Sequence, residues 1–426
     1  MNPVRQNPAH PGPVHPVPVH PGPVRPGPAH PTVRLDRTVV VVGAGRVGLG
    51  CAAHLAHRGG CRVQVLGRGS TIAALAGHGL VRVRVTDGAL ATEEDVPVSA
   101  IDLHRDPEGA RAAIAGADLV CTAVGAGSLP ALVPLLADGL ARADHAVDVV
   151  AFENLADAGR LLRQQVGAGL SVPHGFSGAV VDRVVAHRLP ATAATPVTVV
   201  AEPACQVAVD RNALNHDWSV LPGVVGVDDF RAWFRRKLYR YSAGHATAAY
   251  LGRLKGYRFL HAAAADPEIA EEVLAAMEEG RRGLLHRYGS RVAGTPADLH
   301  EILARFGNAA LGDTTARVGR DVPRKVARDE RLVGAARAAA RAGVTPRHLA
   351  QATAAAISAE LAATGQRAES AAERAETVAR FTGLAPHGRL GRLVAACLDQ
   401  LDATTVLLSL AERTPAWETG VVGRAS

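Results

Sequence analysis

Short apolar runs alternate with helix-like segments in the first half of the chain. Continuous apolar stretches of strand length occur at residues 38–45, 61–69, 80–85, 118–124, 146–152 and 196–202. The segments between them, such as 46–58 and 128–142, carry apolar residues at helical spacing. Continuous apolar strands that alternate with helices are typical of a parallel sheet covered on both faces. Residues 37–200 are therefore predicted to form a doubly wound, mostly parallel α/β domain.

The pattern changes after about residue 200, where Ala, Leu, Arg and Glu recur at helical spacing. Helices are predicted at residues 228–254, 267–287, 296–306, 330–342, 346–363 and 367–381. Residues 201–426 are therefore predicted to form a mostly α-helical C-terminal domain. The chain is thus expected to have two folded domains of different secondary structure.

The first 36 residues have a third character. Variants of the pentapeptide HPGPV recur at residues 10–14 and 20–24, and so much Pro and Gly leaves little to bury. Residues 1–36 are therefore predicted to be a disordered tail with polyproline II character. The histidines of this tail lack Cys or carboxylate partners at a fixed spacing, so we predict no metal site there.

Charge and cysteine usage narrow the class of function. The 426 residues carry a formal charge of +7, which suits an acidic substrate or cofactor. Because no basic stripe with aromatic partners occurs, no nucleic-acid binding is predicted. Five scattered cysteines without a CxxC pair indicate reduced, buried thiols in a cytoplasmic protein. The chain lacks an apolar run of membrane-spanning length and an apolar signal-peptide core, so neither a membrane span nor a secretory signal is predicted.

A glycine-rich turn follows the first predicted strand. It consists of Gly43, Ala44, Gly45, Arg46, Val47 and Gly48, a GxGxxG pattern that follows four valines. The turn opens a predicted helix, and a second strand follows about 20 residues later, which is the context of a Rossmann dinucleotide-binding unit. In such a unit, the backbone approaches the pyrophosphate closely and the helix N-terminus favours its negative charge. We therefore predict that residues 38–68 bind a nicotinamide dinucleotide.

The end of the second strand bears on the choice between NAD and NADP. An Asp or Glu at this position would bind the ribose 2′-hydroxyl, but the chain has Gly67 and Arg68. Because no carboxylate repels a 2′-phosphate and Arg68 can bind one, we predict that NADP(H) is favoured over NAD(H). The alternative is that Arg68 is a solvated loop residue that stacks on the adenine.

A basic segment at residues 235–245 contains candidates for proton transfer. Lys237 and His245 lie eight residues apart on a predicted helix, so their directions differ by about 80° and a long lysine could still meet the histidine above the helix. A lysine in a cleft, flanked by arginines, would have a lowered pKa and could act as a general base. The spacing alone favours the alternative, a basic helix face in water.

Several separated motifs make residues 38 to the 330s similar to one enzyme family. They are VGAGRVGLG at the cofactor turn, TAVG (122–125), FENLADAG (152–159), GFSGAVVDRVV (175–185), RRKLYRYSAGHATAAYLGRLKG (235–256) and RVGRDVPRKV (317–326). With these motifs, the chain resembles the mannitol-1-phosphate 5-dehydrogenase branch of the polyol-specific long-chain dehydrogenases. The resemblance implies an NAD(P)-dependent oxidoreductase that works without metal on a sugar or polyol phosphate.

The resemblance also implies roles for individual residues. Lys237 matches the family's general base, and Asn154 matches an amide that hydrogen-bonds the reacting oxygen. His245 matches a residue that orients the substrate, and Asp182 a carboxylate near the substrate hydroxyls. The segment expected along the nicotinamide ribose comprises Ala123, Val124 and Gly125. Donors at these places would stabilise the alkoxide-like charge that develops during hydride transfer.

A basic cluster near residue 320 is a candidate site for the substrate phosphate. Arg320, Arg324 and Lys325 lie close together in the sequence, and clustered guanidinium groups bind phosphate bidentately. A solvated basic loop explains the same residues.

Two residues depart from the family pattern at chemical positions. Ser242 stands five residues after Lys237, where the family has Asn, and Gly67 stands where the family usually has Asp. Loss of one oxyanion donor commonly costs about 10²–10³ in rate.

The resemblance implies, as the first hypothesis, an enzyme of the mannitol 1-phosphate/fructose 6-phosphate type. The alternatives are a specialised relative that acts on a cyclitol phosphate, a hexuronate or another sugar phosphate, and a catalytically impaired dinucleotide-binding protein. The sequence does not decide between a monomer and a dimer.

Overall fold

The computed structural model describes residues 36–167 and 169–413, with side chains through Leu401. Except for Asp36, the tail predicted over residues 1–36 lies outside the described residues. The folded part begins with β1 and contains a large sheet, a small sheet and a helical half. This agrees with the predicted fold class, a Rossmann-type α/β unit followed by a mostly helical region.

The strands of the described residues fall mainly in the first 230 residues. They are β1 (Thr38–Val42), β2 (Arg62–Gly67), β3 (Leu80–Thr86), β4 (Ala91–Pro97), β5 (Ser99–Asp102), β6 (Leu119–Thr122), β7 (Asp148–Ala151), β8 (Gly175–Asp182), β9 (Val185–Leu189), β10 (Thr198–Ala201), β11 (Gln206–Asp210) and β12 (Val224–Val227).

The helices cover the sheets and then form the second half. They are α1 (His54–Arg58), α2 (Gly69–His78), α3 (Pro107–Ala115), α4 (Val133–Leu140), α5 (Ala158–Val166), α6 (Phe230–Lys237), α7 (Ala243–Leu254), α8 (Leu260–Ala265), α9 (Pro267–Tyr288), α10 (Ser290–Ala293), α11 (Ala297–Phe306), α12 (Thr315–Gly319), α13 (Val322–Lys325), α14 (Val333–Arg341), α15 (Arg347–Thr364), α16 (Ala371–Thr382) and α17 (Arg389–Arg413). Two π-helical segments, Gly48–Ala53 and Leu238–Ser242, precede α1 and α7.

The large sheet has the strand order β12-β11-β8-β7-β6-β1-β2-β5. In this order, the six neighbouring strands β8, β7, β6, β1, β2 and β5 run parallel to one another, whereas β11 pairs with β8 in the antiparallel sense. Residues 39–42 of β1 are fully buried, and alternate valines contact the apolar clusters on opposite faces. From β1 the chain continues to β2 on one side of the sheet, and from β6 it continues to β7 on the other side. Open α/β sheets bind ligands where the strand order reverses in this way, at the carboxyl ends of the strands. In this sheet the reversal lies between β1 and β6.

The small sheet has the order β4-β3-β10-β9. The stretches 80–85 and 196–202 are strands as predicted, but they pair with each other in this sheet rather than in the large one. The prediction failed because an apolar run reports burial and not the identity of its partner strand.

The large sheet continues past residue 200 through β11 and β12. The predicted change to a helical domain at residue 200 therefore falls within the part of the chain that still builds the sheet. Helical structure takes over with α6, which begins at Phe230.

The helical half is built around α9, a helix of 22 residues. It packs against α7, α14 and α15, and Tyr250 and Met277 lie fully buried between these helices. Each of the six predicted helical stretches is helical in the structure. Within the described ranges, no helix has both the length and the apolar character that a membrane crossing requires.

Candidate active site

The turn after β1 is held in a conformation that only glycine fits. Gly43 has a φ of +119°, and its N–H donates to the Leu66 carbonyl oxygen at 2.8 Å. A Cβ on Gly43 would lie 2.6 Å from the carbonyl oxygen of Ala123, and one on Gly48 would lie 2.0 Å from the Gly43 carbonyl oxygen. Both positions exclude a side chain, as the tight turn and close helix–strand packing of a Rossmann unit require.

A cleft of about 710 Å³ opens beside this turn. An ideal Cβ on Gly45 would meet only the Ala123 carbonyl oxygen, at 3.7 Å, so the backbone at Gly45 is open to a ligand. The helix starts directly after the turn, and its first N–H groups lack intrahelical partners and favour an anion. The turn, the cleft and the helix together fit the pyrophosphate of a dinucleotide.

The opposite wall of the cleft depends on a buried carboxylate that the sequence reasoning missed. Glu153 is 3 % exposed. Its Oε2 accepts a hydrogen bond from Thr122 Oγ1 at 2.7 Å, and its Oε1 accepts one from the Val124 N–H at 2.9 Å. Glu153 therefore fixes the segment expected along the nicotinamide ribose. The FENLADAG motif, in which Glu153 directly precedes Asn154, was the sequence feature that could have indicated this role.

The end of β2 has no room for the usual acidic residue. A Cβ on Gly67 would lie 2.9 Å from Cγ1 of Ile72 and 3.5 Å from Cβ of Ala44. Ile72 is itself buried, so it fills the space next to residue 67. Arg68 is exposed beside the cleft, with Nη1 3.4 Å from His104 Nε2.

A second arginine reaches the same end of the cleft from the small sheet. The Nη1 of Arg188, on β9, donates to the Ala44 carbonyl oxygen at 3.0 Å and to Thr71 Oγ1 at 2.7 Å. Arg68 and Arg188 both line the cleft. The sequence reasoning missed Arg188 because its strand is remote in sequence from the glycine-rich turn.

Lys237 and Ser242 lie at the two ends of a π-helical turn. The helix α6 ends at Lys237, the π-helical segment Leu238–Ser242 follows it directly, and α7 begins at the next residue, so the three segments are consecutive. The Ala243 N–H bonds to the Leu238 carbonyl oxygen, five residues back. Because a π-turn spans five residues, it brings residue 242 closer to the side of residue 237 than a regular α-helix would.

The Lys237 ammonium is desolvated and lies in the electrostatic field of several charged side chains. Burial lowers the pKa of Lys237, the carboxylate of Asp182 opposes this shift, and the guanidinium groups of Arg331 and Arg305 add to it. Within the described residues, no hydrogen bond or ion pair occupies the ammonium. A desolvated lysine with a lowered pKa can act as a base near neutral pH.

Arg305 organises the charges around Lys237. Its Nη2 contacts Asp182 Oδ1 at 2.8 Å and Glu202 Oε1 at 2.7 Å, and its Nε contacts Glu202 Oε2 at 3.0 Å. Its guanidinium also lies 4.6 Å from the centre of the Tyr241 ring. Arg305 on α11 thus joins the helical half to the ends of β8 and β10. This role was not predictable from the sequence, where Arg305 is one polar residue of an amphipathic helix.

His245 lies near this cluster on α7. Its ring contacts the rings of Tyr241 and Phe306, with centroids 5.5 and 5.1 Å away. Its Nε2 lies 3.6 Å from Asp313 Oδ2, and Arg317 Nε donates to Asp313 Oδ1 at 2.6 Å. Burial lowers the pKa of His245, while Asp313 opposes the shift, so the ring is neutral near pH 7. Tyr241 thus lies between His245 and Arg305, and the charge of Arg305 in turn acts on Lys237.

Asn154 lies on the loop after β7 and is exposed. No hydrogen bond in the described part of the chain occupies its amide. The same loop contacts α6, because Asp157 Oδ1 accepts a bond from Arg231 Nη2 at 3.0 Å. The loop that carries Asn154 is thereby attached to the helix that ends at Lys237.

The three residues predicted to bind a phosphate are close enough to act on one another: burial, together with the charges of Arg331, Arg324 and Arg320, lowers the pKa of Lys325 to about 8. Two of the three have partners within the protein. The side chain of Arg324 is engaged by Asp321, and the Lys325 ammonium donates to the Val318 carbonyl oxygen inside the protein. Arg320 is exposed and has no partner among the described residues.

Arg320 instead belongs with two other arginines. Burial lowers the pKa of Arg46, and the positive charges of Arg317 and Arg320 add to that shift. Arg46 lines the cleft, and its Nη1 donates to the Ala186 carbonyl oxygen at 2.7 Å. Mutually repelling guanidinium groups beside a cleft are typical of an anion site.

No group of three or more His, Cys, Asp or Glu side chains among the described residues could hold a metal ion. Outside the residues that line the cleft, the structure offers a desolvated lysine (Lys237), an exposed amide (Asn154) and a buried histidine (His245). Such groups can move a proton and stabilise a developing oxyanion next to a dinucleotide.

Comparison with known proteins identifies related chains. The model of the mannitol dehydrogenase Rossmann domain matches residues 37–220, and the model of the mannitol dehydrogenase C-terminal domain matches residues 229–371. The mannitol-1-phosphate 5-dehydrogenase of Arthrobacter sp. (strain FB24) is 34 % identical over 307 residues, which cover 68 % of this chain and 79 % of that one. The enzyme of the same name from Pseudarthrobacter chlorophenolicus is 31 % identical over 377 residues, 85 % and 97 % of the two chains.

Solved structures show the same fold. Mannitol 2-dehydrogenase of Pseudomonas fluorescens, a ternary complex with NAD and D-mannitol, aligns with a TM-score of 0.66 at 17 % identity, over 91 % of this chain and 96 % of that one. A substrate-free D-sorbitol dehydrogenase aligns with a TM-score of 0.61 at 16 % identity, over 77 % and 81 % of the two chains.

We predict that Glu153→Ala weakens cofactor binding. Thr122 and the Val124 N–H would lose their acceptor, which costs about 1–3 kcal/mol, and the cofactor dissociation constant should rise roughly 10-fold. Titration with reduced cofactor, followed by fluorescence, measures it. The control is Glu376→Ala, an exposed position on α16. An unchanged dissociation constant in Glu153→Ala would refute the role assigned to this carboxylate.

Proposed function

The chain belongs to the mannitol dehydrogenase family, and from this premise we propose that it is a metal-independent, NAD(P)-dependent oxidoreductase of a sugar or polyol phosphate. The substrate pair is of the mannitol 1-phosphate/fructose 6-phosphate type, as the names of the related enzymes suggest. The observation that supports catalysis most is the desolvated Lys237 beside Asp182 and Arg305. In this proposal, the sheet-forming half binds the cofactor and the helical half supplies the base.

Lys237 is the general base in the direction of alcohol oxidation. When bound, the nicotinamide ring of the cofactor accepts or returns the hydride. The neutral Lys237 amine takes the proton from the reacting hydroxyl, and the lysine returns it in the opposite direction. The Asn154 amide donates a hydrogen bond to the same oxygen, which stabilises its developing negative charge. His245 and Asp182 orient the other substrate hydroxyls.

We place the substrate phosphate near Arg320, with Arg46 and Arg317 as its partners. These guanidinium groups act on one another electrostatically, and a phosphate would relieve their repulsion. Arg317 also binds Asp313, the neighbour of His245. Arg324, which pairs with Asp321 at the surface, and Lys325, whose ammonium donates to the buried Val318 carbonyl oxygen, are not part of this arrangement.

NADP(H) is favoured over NAD(H) in this proposal. Ile72 fills the space beside Gly67, so no carboxylate stands where it would repel a 2′-phosphate. Arg68 and Arg188 line the cleft at this end, and two guanidinium groups suit a phosphate dianion.

A second candidate function is supported by Ser242. The family pattern has Asn at this position, and the serine hydroxyl is shorter than an amide. The altered donor set beside Lys237 favours a specialised relative that acts on a cyclitol phosphate or another sugar phosphate. A catalytically impaired dinucleotide-binding protein is the third possibility that the same substitution raises.

A substrate panel tests the proposed function. The purified protein is incubated with NADPH or NADH and with fructose 6-phosphate, unphosphorylated fructose, fructuronate or a keto-cyclitol phosphate, while the absorbance of the reduced cofactor is followed. We expect oxidation of the cofactor with a phosphorylated ketone and much slower oxidation with fructose. Turnover of the cyclitol phosphate alone would select the specialised relative. Cofactor binding without turnover of any ketone would contradict the proposed enzyme.

We predict that Lys237→Ala abolishes catalysis while the cofactor still binds. Loss of a general base costs about 10²–10⁴ in rate, whereas Lys237 is not among the residues that line the cofactor cleft. Steady-state kinetics and cofactor titration measure the two effects separately. The matched control is Lys255→Ala, because Lys255 forms surface ion pairs with Asp266 and Glu268. Activity of Lys237→Ala within tenfold of the wild type would show that another group is the base.

We also predict that Arg68→Ala and Arg188→Ala each impair the use of NADPH. Loss of one phosphate contact should raise the KM for NADPH by roughly 10-fold and leave the KM for NADH nearly unchanged. Kinetics with both cofactors check this, with the exposed Arg341→Ala as the control. Equal effects on NADPH and NADH, or a wild type that prefers NADH, would contradict the cofactor assignment.

A further inference from the structure

Two cysteines meet behind the cofactor turn. Cys51 lies in the π-helical segment Gly48–Ala53, and Cys205 lies on the connection between β10 and β11. Both belong to the apolar cluster under the large sheet, Cys51 as a fully buried member and Cys205 packed against it. A Cβ on Gly223 would lie 2.3 Å from the Cys205 carbonyl oxygen and 3.6 Å from Cδ2 of Leu55. Leu55 is one helical turn beyond Cys51. The connection therefore lies against the helix that follows the glycine-rich turn, here called the cofactor helix.

A buried arginine binds the Cys205 sulfur. Arg183 is 8 % exposed, and its Nη1 lies 3.4 Å from Cys205 Sγ and 2.8 Å from His54 Nδ1. Its Nε donates to the Glu202 carbonyl oxygen at 3.2 Å. Because burial lowers the pKa of His54, the neutral ring accepts this bond and leaves the guanidinium charge to the sulfur.

The two thiols are in different states. The hydrogen bond from Cys51, together with Arg183, lowers the pKa of Cys205 to about 7, although burial opposes the shift. The bond to Cys205, together with burial, raises the pKa of Cys51. Cys205 is therefore the more acidic thiol of the two, and the Arg183 guanidinium at 3.4 Å stabilises its thiolate form. A low-pKa, accessible thiolate beside a second thiol is typical of a redox-sensitive pair.

We propose that Cys205 and Cys51 form a peroxide-reactive dithiol. The Cys205 thiolate attacks hydrogen peroxide or an alkyl hydroperoxide, breaks the O–O bond and becomes a sulfenic acid, and the leaving hydroxide or alkoxide takes a proton from water. The Cys51 thiol then displaces the sulfenic hydroxyl as water and forms the disulfide. Two thiols are oxidised and one peroxide is reduced. The disulfide would tie the cofactor helix to the connection between β10 and β11.

The remaining cysteines provide contrasts within the same chain. Burial raises the pKa of Cys61 to about 11 and also raises the pKa of Cys121 and Cys397. The sequence-based interpretation of all five cysteines as buried thiols is wrong for Cys205 and Cys397, which are partly exposed. Cys397 is the natural control for Cys205, because it is also partly exposed but has no arginine partner among the described residues.

Peptide mapping of the full-length protein tests the proposal. After brief treatment with hydrogen peroxide and blocking of free thiols, trypsin should release the peptides 47–58 and 189–211 joined by a disulfide, and dithiothreitol should separate them. Without peroxide, iodoacetamide at pH 7 should label Cys205 roughly 5-fold or more faster than Cys397.

Two variants separate the steps. In Cys51→Ser, which keeps a hydrogen-bond donor beside Cys205, the Cys205 sulfenic acid should persist and be trapped by dimedone, because no second thiol resolves it. In Cys205→Ser, Cys51 should remain a free thiol at the same peroxide dose. These results do not depend on the substrate or on turnover. The proposal is overturned if the two peptides never become linked in the wild type, or if Cys397 reacts as fast as Cys205.

Discussion

The charge cluster of Arg305 with Asp182 and Glu202 is the interaction on which the arrangement of the site depends. One guanidinium on α11 meets carboxylates at the ends of β8 and β10, so the helical half is fixed against both sheets at one place. Breaking a largely buried pair leaves an uncompensated charge and is strongly destabilising. The same carboxylate of Asp182 is also the charge that opposes the lowered pKa of Lys237. A contact that joins the two halves thus also adjusts the proposed base.

The cofactor side of the cleft depends on steric constraints rather than on charge. Gly43 and Gly48 leave no space for side chains, and Ile72 fills the space beside Gly67. Glu153 then holds the opposite wall through Thr122 and Val124. These constraints leave arginines, not carboxylates, at the end of the cleft beyond β2. The proposed use of NADP(H) follows from that shape together with the positions of Arg68 and Arg188.

The sequence predicted those features that are encoded locally. The valines of β1, the glycine-rich turn and the spacing of the helical half indicated the fold class correctly, because burial and helical periodicity are visible in a short window. The family motifs selected Asn154, Asp182, Lys237 and His245, which remain proposed functional residues. Partners remote in sequence were not predictable. Arg188 reaches the turn from another sheet, and Arg305 contacts residues more than 100 positions away. Likewise, proximity in sequence suggested Arg324 and Lys325 for the phosphate, but Arg324 pairs with Asp321 at the surface and the Lys325 ammonium donates to a buried carbonyl oxygen.

The pH dependence of kcat/KM for alcohol oxidation shows whether Lys237 is the base. If Lys237 is a base whose pKa burial has lowered, oxidation rises with pH through one ionisation that lies below the ordinary lysine value of about 10.4. Carbonyl reduction, which needs the protonated lysine, falls with increasing pH through the same ionisation, and Lys237→Arg lacks this ionisation in both directions. If the profile keeps its ionisation in Lys237→Arg, or if the wild-type rate is independent of pH over this range, the account of the base is contradicted.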